Sequence, residues 1–282
     1  MEAGSVSIVI LTKNAGKPFE RTMAAIQGQA IGRKFEVIAV DSGSTDETLN
    51  ILERYRVNLH RIPAEEFNFG LTRNYAFSLA KGDFLVTISQ DVVPCDESWL
   101  ENLVAPFVGR DDVVAVQGNL RIPRETEVFY WERIGKFYFT SESTRWVEQH
   151  KCGMSFVNCA IRREFWERNQ IGFVLHSEDK VFQKRIVDAG RTVLFAKEAA
   201  CFHGHDYTLK SLVRRLVNEG VGWQYVGVRY RLSDCLHDLY EKKYLVRNSI
   251  EALARREVKT VQEFLFPILR PVCIYYGNNK KI

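Results

Sequence analysis

Two aspartates lie at the ends of stretches that predict buried β-strands. The stretch 84–94 is apolar at its start and polar by Asp91, and Asp41 follows the apolar run 35–40. A continuous apolar run is typical of a strand in a parallel sheet, and the proline that closes the first stretch cannot continue a central strand. Both carboxylates are therefore expected at the carboxyl edge of the sheet, where open α/β folds bind ligands. The alternative for Asp91 is a cap on the following turn or helix.

Two more groups of side chains that can do chemistry occur later in the chain. Glu178 and Asp179 follow Ser177, whose type suits the N-cap of the next helix. Acids in a first helical turn can take up protons, or they can simply complement the helix dipole. His203 and His205 form a His-x-His motif.

The elements that must position these residues alternate between strand and helix. Strands are predicted at 6–11, 35–40, 57–62, 84 to about 90, 113–118, 156–161 and 192–195, with helices at about 17–29, 47–55, 71–80, 98–108, 163–168 and 179–189. Such alternation implies right-handed crossovers and a parallel sheet whose polar strand ends collect along one edge. Asp41, Asp91 and the turn at Thr12 should converge there. From Leu209 onward the chain is predicted to be helical, and Pro267 and Pro271 are expected to interrupt the last apolar stripe.

Composition places the chain among globular proteins. It has 282 residues, 46% hydrophobic and 26% charged, with a net charge of +4. This mildly basic balance suits phosphorylated substrates or an anionic membrane surface and does not require nucleic acid. None of the six cysteines forms a C-x-x-C pair, which disfavours a zinc or redox motif and indicates a cytosolic protein with reduced thiols. The first residues lack the basic and apolar regions typical of a signal peptide, and no run of about 18 apolar residues occurs, so neither a signal peptide nor a membrane span is predicted.

The signatures of several common enzyme classes are absent. The turn after the first strand, 12–16, is Thr-Lys-Asn-Ala-Gly, so it lacks G-x-G-x-x-G, and no phosphate-binding loop occurs. No G-x-S-x-G elbow is present either. These absences disfavour a dinucleotide dehydrogenase, a P-loop enzyme and a serine hydrolase.

Four motifs together resemble those of the family 2 inverting glycosyltransferases of the GT-A fold. Over roughly residues 5–210 the order is VSIVILTKN at 6–14, DSGSTD at 41–46, SQD at 89–91 and ED at 178–179. The resemblance implies an α/β fold with a mostly parallel central sheet flanked by helices and a C-terminal helical extension. FNFGLTRNYA at 67–76, with SQDVVP at 89–94, further resembles the rhamnosyltransferase-like branch, which uses dTDP-rhamnose. That branch often has histidine where this chain has Phe69.

The resemblance implies a donor site at the sheet edge. Asp41 would accept a hydrogen bond from the pyrimidine N–H, and Arg73 would hold the diphosphate with its guanidinium. A surface salt bridge is the alternative for Arg73, and a helix cap is the alternative to ligand contact for Asp46. The implied donor-binding residues are Thr12, Asn14, Asp41, Ser42, Arg73, Ser89, Gln90 and Asp91.

The resemblance also implies a divalent cation, Mg²⁺ or Mn²⁺, that bridges the two phosphates. Asp91 would be its carboxylate ligand, with help from His203 or His205. Ser89 stands where the family usually has another carboxylate, so metal dependence stays open. The histidines could instead contact phosphate or be structural.

The catalytic pair implied by the resemblance is Glu178 and Asp179. Asp179 would be the general base that takes the proton of the acceptor hydroxyl. A carboxylate at a helix N-terminus is stabilised in its ionised form, which a base needs. Glu178 would orient the acceptor or support Asp179, and the two roles could be exchanged.

The predicted function is inverting transfer of a sugar from a nucleotide diphosphate donor to a hydroxyl of a glycan or lipid-linked glycan. dTDP-L-rhamnose is the first choice of donor and a UDP-sugar the second. A nucleotidyltransferase would need a glycine-rich basic loop after the first strand, which is absent. A non-catalytic nucleotide-sugar-binding module is the other rival, and the Glu178-Asp179 pair argues against it.

The resemblance implies a GT-A catalytic domain at 1–208, with a nucleotide-sugar-binding half at 1–120 and an acceptor-binding half at 121–208, and a C-terminal helical extension at 209–282. The expected location is cytoplasmic, and peripheral contact of the extension with the inner face of a membrane is left open. Arg214 and Arg215 would contact diphosphate, meet anionic lipid or lie on a solvated helix face. The aromatic side chains of 121–149 are expected in a core or lid, with sugar stacking open for one of them.

Overall fold

A computed structural model describes residues 4–123, 127–150 and 153–281. Cys152, one of the six cysteines considered above, lies outside the described residues. The chain forms two compact units: the first comprises Met1–Arg121 and Met154–His203, and the second comprises Ile122–Gly153 and Gly204–Ile282. The segment 122–153 thus groups with the C-terminal helices, whereas the resemblance placed it in an acceptor-binding half.

Strands and helices alternate in the first unit, as the sequence predicts. The strands are β1 (Val6–Thr12), β2 (Phe35–Asp41), β3 (Asn58–Arg61), β4 (Phe84–Ile88), β5 (Val93–Pro94), β6 (Val113–Arg121), β7 (Asn158–Arg162) and β8 (Thr192–Phe202). The helices found among the described residues of both units are α1 (Phe19–Gln27), α2 (Thr48–Arg54), α3 (Phe69–Leu79), α4 (Trp99–Val104), α5 (Tyr130–Arg133), α6 (Ser141–His150), α7 (Arg163–Arg168), α8 (Glu178–Asp188), α9 (Leu209–Tyr225), α10 (Leu232–Glu241), α11 (Lys243–Ala254) and α12 (Val261–Asn279). Short 3-10 turns occur at Ala64–Glu66 and Ala105–Phe107.

The eight strands form one sheet in the order β3-β2-β1-β4-β7-β6-β8-β5. Strands β1 to β4 are mutually parallel, with Thr12 paired to Asp41 at the carboxyl ends of β1 and β2. β7 runs antiparallel to both of its neighbours, and β6 and β8 are parallel. The prediction of a mostly parallel sheet is confirmed. The antiparallel β7 was not predicted, because an apolar run carries no information about strand direction.

Several predicted strands have different bounds from those expected, β4 and β8 among them. β4 ends at Ile88, but Pro94 lies in the short β5, which pairs antiparallel with β8 at the end of the sheet. Proline is tolerated there because an edge strand leaves one side without ladder bonds. β8 runs on to Phe202 through a stretch rich in alanine, since its pairing with β6 outweighs local propensity.

The core of the first unit lies between the sheet and its helices. It is built from strand residues such as Ile8, Val86 and Ile88 and helix residues such as Met23 and Trp99, all fully buried. This packing holds the carboxyl ends of β1, β2 and β4, which carry most of the predicted site residues.

The second unit is helical around an aromatic core. Most aromatic side chains of 121–149 are buried there, as predicted, while Tyr138 is exposed; the buried ones are Phe129, Tyr130, Trp131, Phe137, Phe139 and Trp146. α12 packs on α9 so closely that a Cβ on Gly277 would lie 2.0 Å from the Val217 carbonyl oxygen. Pro267 and Pro271 do not interrupt α12, contrary to expectation; both are buried in one continuous helix, and packing compensates for their local cost. Among the described residues, no helix is both long enough and apolar enough to cross a membrane.

Candidate active site

Asp41 is the last residue of β2, and its fully buried carboxylate accepts hydrogen bonds from other groups of the protein. Oδ1 accepts from the backbone N–H groups of Gly43 and Ser44 at 3.0 and 2.9 Å, and Oδ2 accepts from the hydroxyls of Thr12, at 3.0 Å, and Ser44. Ser42 donates its N–H to the Thr12 carbonyl at 3.0 Å. A carboxylate offers about four lone-pair sites, so Asp41 organises this turn and ties it to β1. A pyrimidine N–H would reach it only by displacing one of these donors.

Asn14 and Asp46 join the turn after β1 to the turn after β2. Asn14 has φ 47°, a left-handed conformation that asparagine tolerates, and its Oδ1 accepts the Thr45 N–H at 2.8 Å. Asp46 accepts the N–H groups of Gly16 at 2.9 Å and of Thr48, the first residue of α2, at 3.0 Å. Hydrogen bonding by Thr48 lowers the pKa of Asp46 below its ordinary value. Asp46 therefore binds the N–H group at the start of α2, which is the contact that its alternative role as a helix cap requires.

Gln90 joins the end of β4 to the end of β1. Its Oε1 accepts the Lys13 N–H at 2.9 Å and its Nε2 donates to the Lys13 carbonyl at 3.2 Å. The N–H of Ser89 donates to the Val157 carbonyl at 3.2 Å. These bonds hold the backbone on which Asp91 follows.

Asp91 and His203 come together although they are far apart in sequence. Asp91 lies between β4 and β5, and His203 directly follows β8, the partner of β5. Nε2 of His203 lies 3.7 Å from Oδ2 of Asp91; the imidazole is 13% exposed and the carboxylate 53%. The pair presents an oxygen donor and a nitrogen donor with access from solvent.

His205 belongs to the second unit, where it pairs with Glu132. Its N–H donates to Oε2 of Glu132 at 3.0 Å, and its Nδ1 lies 3.1 Å from Oε1. The hydroxyl of Tyr207 donates to Oε1 at 2.9 Å. Burial, the largest influence, would raise the pKa of Glu132, but the hydrogen bonds and charge of His205 bring it below its ordinary value. No local pattern indicated Glu132, because its two partners lie more than seventy residues away.

Arg73 and Glu178 form a buried ion pair. Nη2 of Arg73 donates to Oε1 of Glu178 at 3.0 Å, and the two side chains are 7% and 10% exposed. The guanidinium also lies over the Phe156 ring, 5.1 Å from its centroid. Burial raises the pKa of Glu178, Arg73 opposes the rise and the neighbouring Asp179 adds to it. Arg73 does form a salt bridge, as the alternative in the sequence analysis held, but this bridge is buried and does not lie on the surface.

Asp179 lies in the first turn of α8 and is only partly buried. Its Oδ1 accepts the N–H of Lys180 at 2.7 Å. Ser177 is the N-cap, as predicted, but its side chain makes no capping bond and its backbone is left-handed with φ 62°. Such strain in a residue other than glycine has to be maintained by its surroundings.

The segment before Ser177 is held against α3, a contact that the sequence predictions did not include. Asn68 caps α3 through Oδ1, which accepts the N–H groups of Leu71 and Val174, each at 3.1 Å. A Cβ on Gly70 would lie 2.0 Å from the Gly172 carbonyl oxygen. Asn68 directly before a helical run was an available signal, since asparagine is a favoured N-cap.

Arg214 and Arg215 differ in their surroundings within the second unit. Arg214 is exposed on α9. Arg215 lies over the Phe137 and Tyr207 rings, 5.2 and 5.7 Å from their centroids, and donates to the Tyr138 hydroxyl at 3.1 Å. Arg215 therefore has a packing role inside this unit.

Two curated relatives are similar over most of the chain. The O-antigen chain rhamnosyltransferase of Salmonella typhimurium is 28% identical over 228 residues, which cover 77% of this chain and 71% of that protein. The O-antigen chain rhamnosyltransferase of Salmonella anatum is 29% identical over 229 residues, with the same coverage of 77% and 71%. The predicted likeness to rhamnosyltransferases is confirmed.

Solved glycosyltransferases share the fold. A mannosyltransferase from Pyrobaculum calidifontis, in complex with GDP-Man and Mn²⁺, has a TM-score of 0.58 and 18% identity, covering 97% of this chain and 70% of that one. Glucosyl-3-phosphoglycerate synthase from Mycobacterium tuberculosis, in complex with Mg²⁺ and UDP, has a TM-score of 0.63 and 16% identity, covering 80% of each chain. The predicted GT-A type of fold is confirmed.

The family model of Glycosyl transferase family 2 matches residues 7–169, more than half of the chain. The match includes the turns at Thr12, Asp41 and Asp91 and the helix that carries Arg73. The chain is therefore a glycosyltransferase and belongs to glycosyl transferase family 2.

Proposed function

We propose that this protein transfers a sugar, with inversion, from a nucleotide diphosphate donor to a hydroxyl of a glycan or lipid-linked glycan. The observation that carries the proposal is the start of α8, where Asp179 is partly exposed while its neighbour Glu178 is buried against Arg73. One carboxylate is thus available to an acceptor and the other holds the helix in place.

The proposed donor is dTDP-L-rhamnose. Its support is the similarity to two O-antigen chain rhamnosyltransferases over 77% of the chain. A UDP-sugar is the second candidate, because the structurally similar glucosyl-3-phosphoglycerate synthase from Mycobacterium tuberculosis was also solved with UDP-Glc. The acceptor is proposed to be a glycan because the names of both rhamnosyltransferase relatives refer to an O-antigen chain.

Asp179 is the proposed general base. Its carboxylate takes the proton of the acceptor hydroxyl while that oxygen forms a bond to the anomeric carbon of the donor. The bond from this carbon to the diphosphate oxygen breaks on the opposite face, and the electron pair leaves with the nucleoside diphosphate. A single displacement of this kind inverts the configuration at the anomeric carbon.

Glu178 is proposed to act as a positioning residue. Its buried bond to Arg73 fixes the first turn of α8, and Asp179 follows directly. Arg73 remains the proposed diphosphate contact: its Nε–H has no partner among the described residues, and a guanidinium has five donors in total. Thr12, Asn14, Asp41 and Ser42 are proposed to form the wall against which the base lies.

Asp91 and His203 fit a divalent cation. Ligand atoms of a six-coordinate Mg²⁺ or Mn²⁺ site lie about 3 Å apart, and the two donors here are 3.7 Å apart, so a small side-chain rotation suffices. Such a cation would complete its shell with phosphate and water oxygens and would stabilise the charge of the leaving diphosphate. His205, two residues after His203, is proposed as a further ligand on the sequence alone.

Release of nucleoside diphosphate from a panel of nucleotide sugars, with and without EDTA, tests donor and metal together. The panel contains dTDP-rhamnose, UDP-glucose and GDP-mannose, each with and without a polysaccharide acceptor. Of these donors, only dTDP-rhamnose is expected to give release, and EDTA is expected to abolish it. Release only from a UDP-sugar would overturn the rhamnose proposal. Tight donor binding without release from any donor would favour a non-catalytic nucleotide-sugar-binding module.

A further inference from the structure

α12 has its polar and apolar faces reversed relative to an ordinary surface helix. Its only two charged residues, Glu263 and Arg270, are 7% and 0% exposed. Glu263 accepts the N–H of Tyr130, and Arg270 donates to both carboxylate oxygens of Glu219. The charges of the helix are thus used inside the second unit, and its outer face carries none.

Apolar side chains occupy that outer face. Val261, Ile268, Val272 and Tyr276 are 65%, 45%, 46% and 61% exposed. Their separations of seven, four and four residues place them on one side of a helix, and the partly buried Leu265 fills the gap in the series. We call these five residues the α12 stripe. A continuous exposed apolar strip of this length marks an interaction surface.

The excess positive charge of the protein lies in the same part of the chain. Residues 209–282 contain 14 Lys and Arg against 7 Asp and Glu, a net charge of +7, whereas the whole chain has +4. The remainder, 1–208, is therefore at −3. Lys280 and Lys281 follow α12 and place cations at its C-terminal end, whereas Lys259, which precedes the helix, pairs with Glu127 at 2.6 Å.

We propose that the α12 stripe lies flat on an anionic lipid bilayer. Apolar side chains along one exposed face, together with nearby cations, favour binding of a helix in the plane of a bilayer interface. Lysines near an anionic surface add attraction. A second copy of this chain is the poorer occupant, because pairing two such faces would oppose two segments of +7 each. The inference rests on the proposed function only in that a lipid-linked acceptor gives such binding a purpose.

Flotation of the full chain with lipid vesicles tests the proposal. We expect binding to vesicles of phosphatidylcholine mixed with phosphatidylglycerol, weaker binding to phosphatidylcholine alone, and release at high salt, because salt screens the attraction. Val272→Glu should weaken binding about tenfold or more, which corresponds to about 1.4 kcal/mol.

Val147→Glu is the matched control. Val147 lies on α6 in the same unit, is likewise a valine and is likewise 46% exposed, but it is not part of the α12 stripe. It should bind anionic vesicles as well as the unchanged protein does. Equal loss in both variants, or no loss in Val272→Glu, would overturn the proposal.

Two further measurements separate this inference from its alternatives. Sedimentation without lipid is expected to show a monomer; a dimer that Val272→Glu dissociates would assign the α12 stripe to a second copy and overturn the bilayer assignment. Nucleoside diphosphate release with a soluble acceptor should be unchanged in Val272→Glu. If the unchanged protein released no nucleoside diphosphate, the proposed function would be contradicted, but the flotation result would still support membrane binding.

Discussion

Arg73 on α3 and Glu178 at the start of α8 form an ion pair in which Nη2 and Oε1 are 3.0 Å apart and both side chains are almost completely buried. The pair joins the residue proposed to contact the diphosphate with the residue proposed to position Asp179. The charge on Glu178 is stabilised mainly by this contact, because burial alone disfavours it.

Removing one partner of this pair should cost more stability than removing both. Arg73→Ala leaves a buried carboxylate without its cation, and we expect a loss of about 3–5 kcal/mol in the free energy of unfolding. Arg73→Met with Glu178→Met should recover most of that loss, since apolar side chains of similar size replace the pair. Urea unfolding of the single and double variants measures this. If the single and the double variant lost the same free energy of unfolding, the ion pair would contribute little to stability.

Asp179→Asn should abolish turnover and leave donor binding intact. A positioned general base contributes about 10²–10⁴-fold to the rate, and we expect a fall in kcat of that size with little change in the donor KM. Asp188→Asn is the control, because Asp188 lies at the other end of α8 and pairs with Lys184 at 2.7 Å. An unchanged kcat in the Asp179→Asn enzyme would refute the assignment of the base.

Asp91→Asn and His203→Gln should each weaken Mn²⁺ binding more than tenfold, the factor that about 1.4 kcal/mol represents. Each change removes or weakens one donor of the pair at the end of β4 and β8. Titration calorimetry of Mn²⁺ in the presence of nucleoside diphosphate measures it. Asp111→Asn, which alters an exposed carboxylate elsewhere in the first unit, should leave the affinity unchanged. Normal affinity in both site variants would exclude this pair as the metal site.

Gly70→Ala should destabilise the protein, whereas Gly32→Ala should not. A methyl group on Gly70 would collide with the Gly172 carbonyl at 2.0 Å, while nothing lies within 4 Å of the equivalent position on Gly32. Overpacking costs about 1–3 kcal/mol, and relief of the clash would move the segment that leads to Asp179. Thermal unfolding and kcat of both variants report the two effects. A Gly70→Ala protein as stable and active as the control would contradict the close approach of α3.

Glu142→Gln should stabilise the protein increasingly as pH rises. Glu142 is completely buried and its Oε2 has no partner among the described residues. Its Oε1 lies 3.6 Å from Nη2 of Arg270, which already donates two hydrogen bonds to Glu219. Burial raises the pKa of Glu142 above its ordinary value of 4.5, so the folded state holds this proton more tightly than the unfolded state. The contribution of Glu142 to the free energy of unfolding is fully present below pH 4.5. It is lost as the pH rises through the higher pKa of the folded state.

A glutamine cannot lose a proton, and its carbonyl oxygen can still accept from Thr140 and Ser143, which donate to Oε1 at 2.7 and 2.9 Å in the unchanged protein. The melting temperatures of the two proteins should therefore be similar at acidic pH and should diverge in favour of the variant above 4.5. Curves that stay parallel across this range would show that Glu142 does not titrate in that way.

The alternation of strands and helices, and the positions where chemistry is expected, could be predicted from residue order alone. β1, β2 and β4 begin within one residue of their predicted starts, because each is a continuous apolar run bounded by polar residues. The ordered motifs at 6–14, 41–46 and 89–91 indicated the family that the family model confirms. These features are local in the chain, so composition and order are sufficient to predict them.

Which side chains meet depends on the tertiary structure. The bond from Thr12 to Asp41, the approach of Asp91 to His203 and the pairing of Arg73 with Glu178 are contacts between residues that no spacing rule connects. α12 shows the same limit: its sequence predicts an apolar helix, but burial of Glu263 and Arg270 leaves an apolar stripe outside. A pattern shows which residues share a face of an element, whereas the packing of distant elements determines what that face contacts.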